Sequence, residues 1–156
     1  MVVETRVFGT IDISDEKIIT FSDGIIGFPD LKKFTLIYDA EKSTAGGIRW
    51  LQSLDEPAFA MPVMDPLYVK ESYNPMVEDE LLKPLGDLQP EDTFIMVTVS
   101  VPKDIHEMSV NLQAPIVINA DNKAACQIIV DNESGEYPVK FKVYDILQAK
   151  KEKAGE

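Results

Sequence analysis

Residues 109–130 read SVNLQAPIVINADNKAACQIIV, and this stretch decides the fold of the chain. Two β-prone runs flank a short polar break, and Pro115 lies inside the first run. Proline has no backbone N–H, so within sheets it is confined to edge strands, strand starts and bulges. Residues 119–122 (NADN) are typical of a turn. The stretch therefore predicts a hairpin between 116–118 and 124–130, with Pro115 dividing one longer strand into two differently directed pieces.

Most of the remaining chain repeats this pattern of short β-prone runs separated by turns, at intervals of about 10–15 residues. The strongest strand signal is TFIMVTVSV at 93–101. The other predicted strands are 2–8, 11–13, 17–21, 34–38, 48–54 and 58–64. Strands do not alternate with long amphipathic helices, which argues against a parallel α/β sheet. The sequence predicts an all-β, mainly antiparallel, small barrel-like domain with bulged strands.

One or two short helices are predicted beside the strands. Residues 76–82 (MVEDELL) place apolar side chains at helical spacing and are followed by a proline, which stops a helix. Residues 143–153 place apolar side chains at i, i+3 and i+4 and then become fully polar. We therefore divide the chain into a β-barrel domain at 1–139 and a Lys-rich C-terminal extension at 140–156.

The charge is strongly acidic, with a formal net charge of −12. Residues 71–92 contain seven Asp or Glu and one Lys, whereas 140–156 contain five Lys and three acids. Nucleic-acid binding draws most of its affinity from phosphate neutralisation by Lys and Arg, so direct binding to nucleic acid is not expected. The acidic surface either keeps the protein soluble or attracts a basic partner.

The location indicated by the sequence is the cytoplasm. No run approaches the ~18 apolar residues of a membrane span, and MVVETRVFGT has no basic segment leading into an apolar one, as a signal peptide would. Cys126 is the single cysteine, so an internal disulfide is impossible, which is typical of a reducing compartment. Its neighbours are apolar, which predicts a buried, unreactive thiol. No membrane partner is expected.

The sequence contains no recognisable catalytic or metal-binding pattern. His106 is the single histidine, and one His with one Cys does not supply a structural zinc site. The acidic runs at 78–80 and 90–92 lack the alternating pattern of a calcium loop. There is no G-x-S-x-G, phosphate-binding loop or H-E-x-x-H. We predict no enzyme, no metal and no cofactor; the alternative is a small-molecule-binding β-barrel or a carboxylate-based hydrolase.

The segment FSDGIIGFPD at 21–30 has two interpretations. In the first it is a tight turn in which Phe21 and Phe28 anchor the core. In the second, Ile25 and Ile26 are exposed at a glycine-flanked tip and form an apolar docking point. The methionines at 61 and 64 are ambiguous in the same way, because Met fills cores and also adapts to partner surfaces.

Several stretches together resemble the FliW family of bacterial flagellar assembly factors, over roughly residues 2–132. They are VVETRVFGTIDI, FSDGIIGFPDLKKFTLI, WLQSLDEPAFAMPVMDP, NLQAPIVIN and AACQIIV. The resemblance implies a compact β-barrel-like fold and a non-enzymatic regulator. Such proteins bind flagellin in the cytoplasm and antagonise CsrA, an RNA-binding translational repressor, allosterically. Flagellin synthesis is thereby coupled to flagellin export.

Two partner surfaces follow as hypotheses from this resemblance. For CsrA we select acidic residues, since opposite charge steers encounter with a basic protein: Glu71, Glu78, Asp79 and Glu80. For flagellin we select the 21–30 loop and the proline-containing strand: Ile25, Ile26, Phe28, Asn111, Pro115 and Asn119. Flagellin's terminal segments are helical only when packed, so an apolar groove is expected, completed by residues 61–68.

Overall fold

The structure is a computed structural model and describes residues 1–38 and 48–154. The strands are β1 Val2–Thr5, β2 Gly9–Asp12, β3 Ile19–Phe21, β4 Lys33–Ile37, β5 Arg49–Ser53, β6 Ala60–Met64, β7 Thr93–Ser100, β8 Ser109–Val110, β9 Ile116–Asn119, β10 Ala124–Gln127 and β11 Phe141–Lys142. Within these residues one α-helix, α1, spans Tyr144–Ala154. Short 3-10 helices span Asp15–Lys17, Pro66–Tyr68, Asp79–Leu85, Pro90–Asp92 and Ile105–Glu107.

Seven of the strands close into a ring, in the order β7, β6, β5, β4, β3, β10 and β9, with β9 returning to β7. The pairs are antiparallel except for β3 with β10, which are parallel. Closure satisfies the backbone N–H and C=O groups that an open sheet would leave at its edges. The predicted all-β, mainly antiparallel barrel is confirmed.

Two hydrophobic cores lie on opposite faces of the sheet, and β7 contributes to both. Successive side chains of a strand point to opposite faces. Met96 therefore packs inside the barrel, whereas Val97 and Val99 pack outside it. The barrel core contains Ile19, Phe21, Ile25, Phe34, Leu51, Val63, Met96, Ile116, Ile118 and Ala125. The second core lies between the barrel wall and the segments that follow β6 and β10, and α1 contributes Leu147 to it.

The strand around Pro115 contains a three-residue bulge. Between the pairs Val99–Val110 and Met96–Ile116, β7 advances three residues while its partner advances six. The chain thus pairs with β7 twice, first as β8 and then as β9. Within the bulge, the carbonyl of Pro115 accepts a hydrogen bond from Ile128 N at 3.0 Å, but the proline can return none. The predicted division of one strand at Pro115 is confirmed.

The predicted hairpin after Pro115 is also confirmed. β9 and β10 pair from Asn119–Ala124 to Ile116–Gln127. Two further backbone hydrogen bonds extend this pairing beyond the end of β10. Ile128 N donates to Pro115 O at 3.0 Å, and Val130 N donates to Gln113 O at 2.8 Å. The β-like pairing therefore extends over most of the predicted 124–130 strand.

The β1–β2 hairpin lies outside the ring as a separate two-stranded sheet. It buries Val3 and Ile13 against Leu54. The ring of Phe8, which lies in the turn between the two strands, meets Trp50 of β5 edge-on, with centroids 5.9 Å apart. This hairpin covers part of the outer face of the barrel.

The two predicted helices have different outcomes. α1 forms one residue later than predicted, and it follows Val143, which is fully buried in the second core together with Leu147. The helix predicted at 76–82 forms three residues later and as a 3-10 helix, Asp79–Leu85, which includes Pro84. Pro84 has no N–H to donate, and in an α-helix its ring would clash with the carbonyl four residues earlier, so an α-helical turn is not favoured here.

The segment 21–30 packs two of its residues, Phe21 and Ile25, into the barrel core. Ile25 and Phe28 form a tight turn, in which each N–H donates to the other's carbonyl, at 3.2 and 2.8 Å. Gly27 lies within this turn at φ 88°, and Gly24 precedes it at φ 69°. At Gly24 an added Cβ would lie 2.5 Å from the carbonyl oxygen of Pro29, so only glycine fits there.

Asn119 at the end of β9 is fully buried and ties the 71–92 segment to the barrel. Its Nδ2 donates to Leu85 O at 2.8 Å and to Asp87 O at 3.3 Å, and its Oδ1 accepts from Asp121 N at 3.0 Å. Asn122, which is exposed, donates to the same Leu85 carbonyl at 3.0 Å. Asn119 therefore has a structural role in this fold.

Asn119→Ala should lower the free energy of unfolding by about 1–3 kcal/mol, because it removes the three hydrogen bonds that this fully buried amide makes to the backbone. Asn122→Ala is the matched control and should cost less than about 1 kcal/mol, since water replaces the exposed amide. Denaturant unfolding of the two variants measures both. If both variants lost the same free energy of unfolding, burial would not be the reason for the contribution of Asn119.

Gly24→Ala should destabilise the protein more than Gly27→Ala. Both substitutions place alanine at positive φ, which costs roughly 1 kcal/mol, but a Cβ at Gly27 meets nothing within 4 Å. The difference in thermal midpoint between the two variants therefore isolates the clash with the backbone of Phe28 and Pro29. A Gly24→Ala protein as stable as Gly27→Ala would disprove that clash.

Candidate functional site

Two apolar side chains are exposed at the turn of the 21–30 loop. Ile26 is 50% exposed and Phe28 is 47% exposed. The Phe28 ring packs against Phe59, with centroids 4.9 Å apart, and Phe59 in turn packs on the barrel core. We call these two exposed side chains the Ile26–Phe28 patch. It is an apolar surface supported directly by a rigid core.

Gln127 at the end of β10 connects this patch to the bulge. Its Oε1 accepts a hydrogen bond from Ile26 N at 2.9 Å, and its Nε2 donates to Ala114 O at 3.1 Å. Ile129, two residues further along the chain, is also exposed. Sequence reasoning missed Gln127, because a single polar residue within a β-prone run carries no signal that its amide bridges two loops.

Three predictions for the 21–30 loop can be compared with the structure. Phe21 is fully buried, as the core interpretation predicted. The prediction that Ile25 is exposed is wrong: it is 4% exposed and belongs to the barrel core. The prediction that Phe28 anchors the core is also wrong, since half of its side chain faces solvent. The turn reverses the chain between Ile25 and Phe28, so one isoleucine points inward and its neighbour points outward.

The remaining residues that were predicted to contact flagellin have structural roles in the fold. Asn111 is half-buried, and its Oδ1 accepts from Gln113 N at 3.1 Å and Ala114 N at 3.2 Å, an arrangement that shapes the bulge. Pro115 is buried within the bulge, and Asn119 is fully buried against the 71–92 segment. That these three residues contact flagellin stays a prediction, and none of them belongs to the Ile26–Phe28 patch.

The methionines of the expected groove belong to the cores. Met61 packs against the barrel core, and Met64 is fully buried in the second core. Leu67, in the 3-10 helix that follows β6, is exposed. Only part of the 61–68 stretch is therefore available to a partner.

The four acidic residues selected for CsrA are all exposed. Glu78, Asp79 and Glu80 lie at the start of the 3-10 helix Asp79–Leu85, and Glu71 precedes them. Glu80 forms an ion pair with Lys83 at 3.0 Å. Two apolar side chains lie exposed on the same segment, namely Met76 and Leu81. Acidic and apolar groups are thus presented together.

Buried anchors hold this acidic segment against the second core. Tyr73 donates from its hydroxyl to Leu112 O at 2.7 Å, and its ring meets Tyr137 edge-on at 5.2 Å. Burial raises the pKa of Tyr73 well above its ordinary value. On the other side, the thiol of Cys126 on β10 lies 3.7 Å from Leu81 O. Burial also raises the pKa of that half-buried thiol, which favours its protonated form.

The single histidine is engaged in a surface interaction. His106 Nδ1 lies 2.9 Å from Asp104 Oδ1, and its ring packs on Tyr144 with centroids 4.3 Å apart. The hydrogen bond from His106 lowers the pKa of the Asp104 carboxyl. Within residues 1–38 and 48–154, no three His, Cys, Asp or Glu side chains are grouped so that they could hold a metal ion.

No helix in the described part of the chain is both long and apolar enough to cross a bilayer.

Comparison with known proteins gives a consistent result. Residues 2–143 match the family model described as FliW protein. A Lachnospira eligens protein named flagellar assembly factor FliW is 51% identical over 149 residues, which cover 95% of this chain and 97% of the relative. A Lachnoclostridium phytofermentans protein of the same name is 45% identical over 154 residues, covering 97% of each.

A solved structure shares the fold as well. The crystal structure of the flagellar assembly factor FliW superposes with a TM-score of 0.82 at 28% sequence identity, covering 92% of this chain and 97% of the other. The family match spans the barrel, the acidic segment, the Ile26–Phe28 patch and β11. This chain therefore belongs to the FliW family.

Proposed function

We propose that this protein is a non-catalytic flagellar assembly factor that binds flagellin and antagonises the translational regulator CsrA. The observation that carries the proposal is the FliW family match over residues 2–143. In this proposal the protein acts in the cytoplasm. Flagellin that has not been exported occupies the protein there. Once flagellin is exported, the free protein binds CsrA away from the RNA-binding surface of CsrA and inhibits it allosterically.

The Ile26–Phe28 patch is the flagellin surface in this proposal. Its two side chains are half exposed, although isoleucine and phenylalanine each gain roughly 1.5–3 kcal/mol on full burial. A helix docks its apolar face onto such a surface. The contact between Phe28 and Phe59 holds the patch in place before binding, which reduces the ordering cost of association.

The acidic segment is the CsrA surface in this proposal. Glu71, Glu78, Asp79 and Glu80 are exposed and lie within a stretch that has a single Lys. An RNA-binding protein has a basic surface, so charge complementarity accelerates encounter and fixes orientation. The exposed Met76 and Leu81 supply apolar contacts beside the charges.

β10 provides a physical connection between the two surfaces. At its end, Gln127 bonds Ile26 of the patch, and one residue earlier Cys126 contacts the backbone of Leu81 in the acidic segment. The 3-10 helix of that segment packs along β10. A displacement of the patch by flagellin would therefore reach the CsrA surface through one strand, which supports coupling between the two partners.

The alternative of a ligand inside the barrel receives no support from its interior. Ten buried apolar residues occupy it, including Phe21, Phe34 and Leu51. Small-molecule sites are concave and contain a few convergent polar groups. The barrel core is instead a packed interior of the kind that small barrels have.

Ile26→Asp combined with Phe28→Asp should weaken flagellin binding by about tenfold or more, because an apolar interface would have to desolvate two carboxylates. Both positions are exposed, so the fold should survive. The matched control is Val101→Asp with Ile105→Asp, which changes the same charge at similarly exposed positions. Isothermal titration calorimetry with flagellin measures the affinities.

Unchanged flagellin affinity in the patch variant, with a native circular dichroism spectrum, would remove the patch from the flagellin surface. Equal weakening by the control pair would assign the effect to net charge. Ile25→Asp is unsuitable for this test, because a buried carboxylate at that position would destabilise the barrel core.

Reversal of Glu78, Asp79 and Glu80 to Lys should weaken CsrA binding by on the order of tenfold or more, while flagellin binding is retained. The control reverses three exposed acids elsewhere, Glu4, Asp15 and Glu16, and so changes the net charge equally. Calorimetry at ~0.15 M salt keeps charges beyond roughly 8 Å screened. If both triple variants bind CsrA with wild-type affinity, the acidic segment is not its docking surface.

A further inference from the structure

The chain between β5 and β6, residues 54–59, is the structural support of the Ile26–Phe28 patch. We call it the β5–β6 loop. Its last residue, Phe59, packs its ring against Phe28 with centroids 4.9 Å apart and against Phe34 of the barrel core with centroids 6.5 Å apart. The position of Phe28 therefore depends on how firmly this loop is held.

Asp55 ties the same loop to the chain that follows the patch. Its Oδ2 accepts hydrogen bonds from Lys32 N at 2.8 Å and from Lys33 N at 2.9 Å. Because these bonds from Lys33 and Lys32 favour the charged carboxylate, they lower the pKa of Asp55. Leu54 N also donates to Lys33 O, at 2.8 Å. The loop thus holds the segment of the patch through a ring contact and through a carboxylate.

Gln52 holds the loop from inside the protein. It lies on β5 and is fully buried. Its Nε2 donates to Ser53 O at 2.9 Å, to Pro57 O at 3.0 Å and to Phe59 O at 3.1 Å. One side-chain amide therefore connects the residue before the loop with its middle and its end.

The hydrogen bonds of Gln52 shape the loop rather than merely satisfy its carbonyl groups. Phe59 O already accepts from Ser53 N at 3.0 Å, and Pro57 O already accepts from Arg6 N at 3.2 Å. The Oε1 of Gln52 is buried and has no hydrogen-bond partner among the described residues. A buried acceptor without a partner is costly, and an apolar side chain would avoid that cost. The contribution of the glutamine is therefore the geometry that it imposes on the loop.

We propose that Gln52 and Asp55 are positioning residues for flagellin binding. Gln52 fixes the β5–β6 loop, and Asp55 ties this loop to the segment that carries the patch. Phe28 is thereby held in its exposed position before a helix docks, which reduces the ordering cost of association. The inference rests on the flagellin-binding function proposed above, and it gives the stretch WLQSLDEPAF at 50–59 a role in that function.

Asp55→Ala should weaken flagellin binding about three- to tenfold, the factor that corresponds to ordering one side chain on association. Asp55 is exposed, so the variant should fold. Glu56→Ala is the matched control, because it removes the same charge from the next residue, whose carboxylate contacts only Ala58 N, at 3.4 Å, among the described residues. Calorimetry with flagellin measures both affinities. Equal weakening by the two variants would assign the effect to charge and would overturn the role of Asp55.

Gln52→Met keeps an unbranched side chain and removes the amide. It should weaken flagellin binding by a similar factor, measured at a temperature at which circular dichroism shows the variant folded. Thr35→Val is the control for loss of a buried polar group. Thr35 pairs with Gln52 across β4 and β5, but its hydroxyl donates to Lys17 O at 3.1 Å and not to the β5–β6 loop. This control should retain wild-type flagellin affinity.

Hydrogen exchange in the free protein tests the positioning without flagellin. In Gln52→Met, the amides of Lys33 and Phe59 should exchange faster than in the wild type, while those of the β9–β10 hairpin keep their rates. Uniform acceleration across the barrel would mean that Gln52 only stabilises the fold, and would refute the proposal. Faster local exchange with unchanged flagellin affinity would refute it as well.

The same measurements separate this inference from the function on which it rests. If the wild-type chain does not bind flagellin, the proposed function fails. The exchange pattern of Gln52→Met then still decides whether Gln52 fixes the loop that supports Phe28.

Discussion

The simultaneous pairing of β7 with β6 and β9 is the constraint on which the rest of this structure depends. Thr93–Met96 pair with β9, and Val97 and Thr98 pair with β6, so this one strand closes the ring. Both of its faces are buried in that region, Met96 in the barrel core and Val97 in the second core. A strand that is buried on both faces must be apolar at successive positions rather than at alternate ones. The consecutive apolar residues Met96 and Val97 meet that requirement.

The bulge follows from the same closure. One chain segment pairs with β7 over two stretches whose registers differ by three residues, so three residues must leave the ladder. Pro115 is compatible with this irregularity, and Asn111 stabilises it by accepting two backbone hydrogen bonds. The carbonyl of Ala114 in the bulge also receives Gln127, which holds the Ile26–Phe28 patch. A single defect in the sheet thus shapes the barrel and positions the apolar patch.

Much of the fold could be predicted because its signals are local. β-prone runs, turn residues and the proline rule located the strands and the hairpin after Pro115. The helix at 76–82 could not be predicted correctly from apolar spacing. Its segment is held by Tyr73, Leu85 and Asn119, and the last of these lies more than thirty residues further along the chain.

The sequence by itself determined the class of fold, the position of the irregular strand and the acidic exposed segment, since charged groups are costly to bury and prolines are costly in a ladder. It also carried the family resemblance. Only the tertiary structure decided that Ile25 is buried while Ile26 and Phe28 are exposed, and that Asn119 serves the core. The hydrophobic effect is non-directional and depends on the area removed from water. Neighbouring apolar residues in a loop are therefore equivalent until the barrel that they contact has formed.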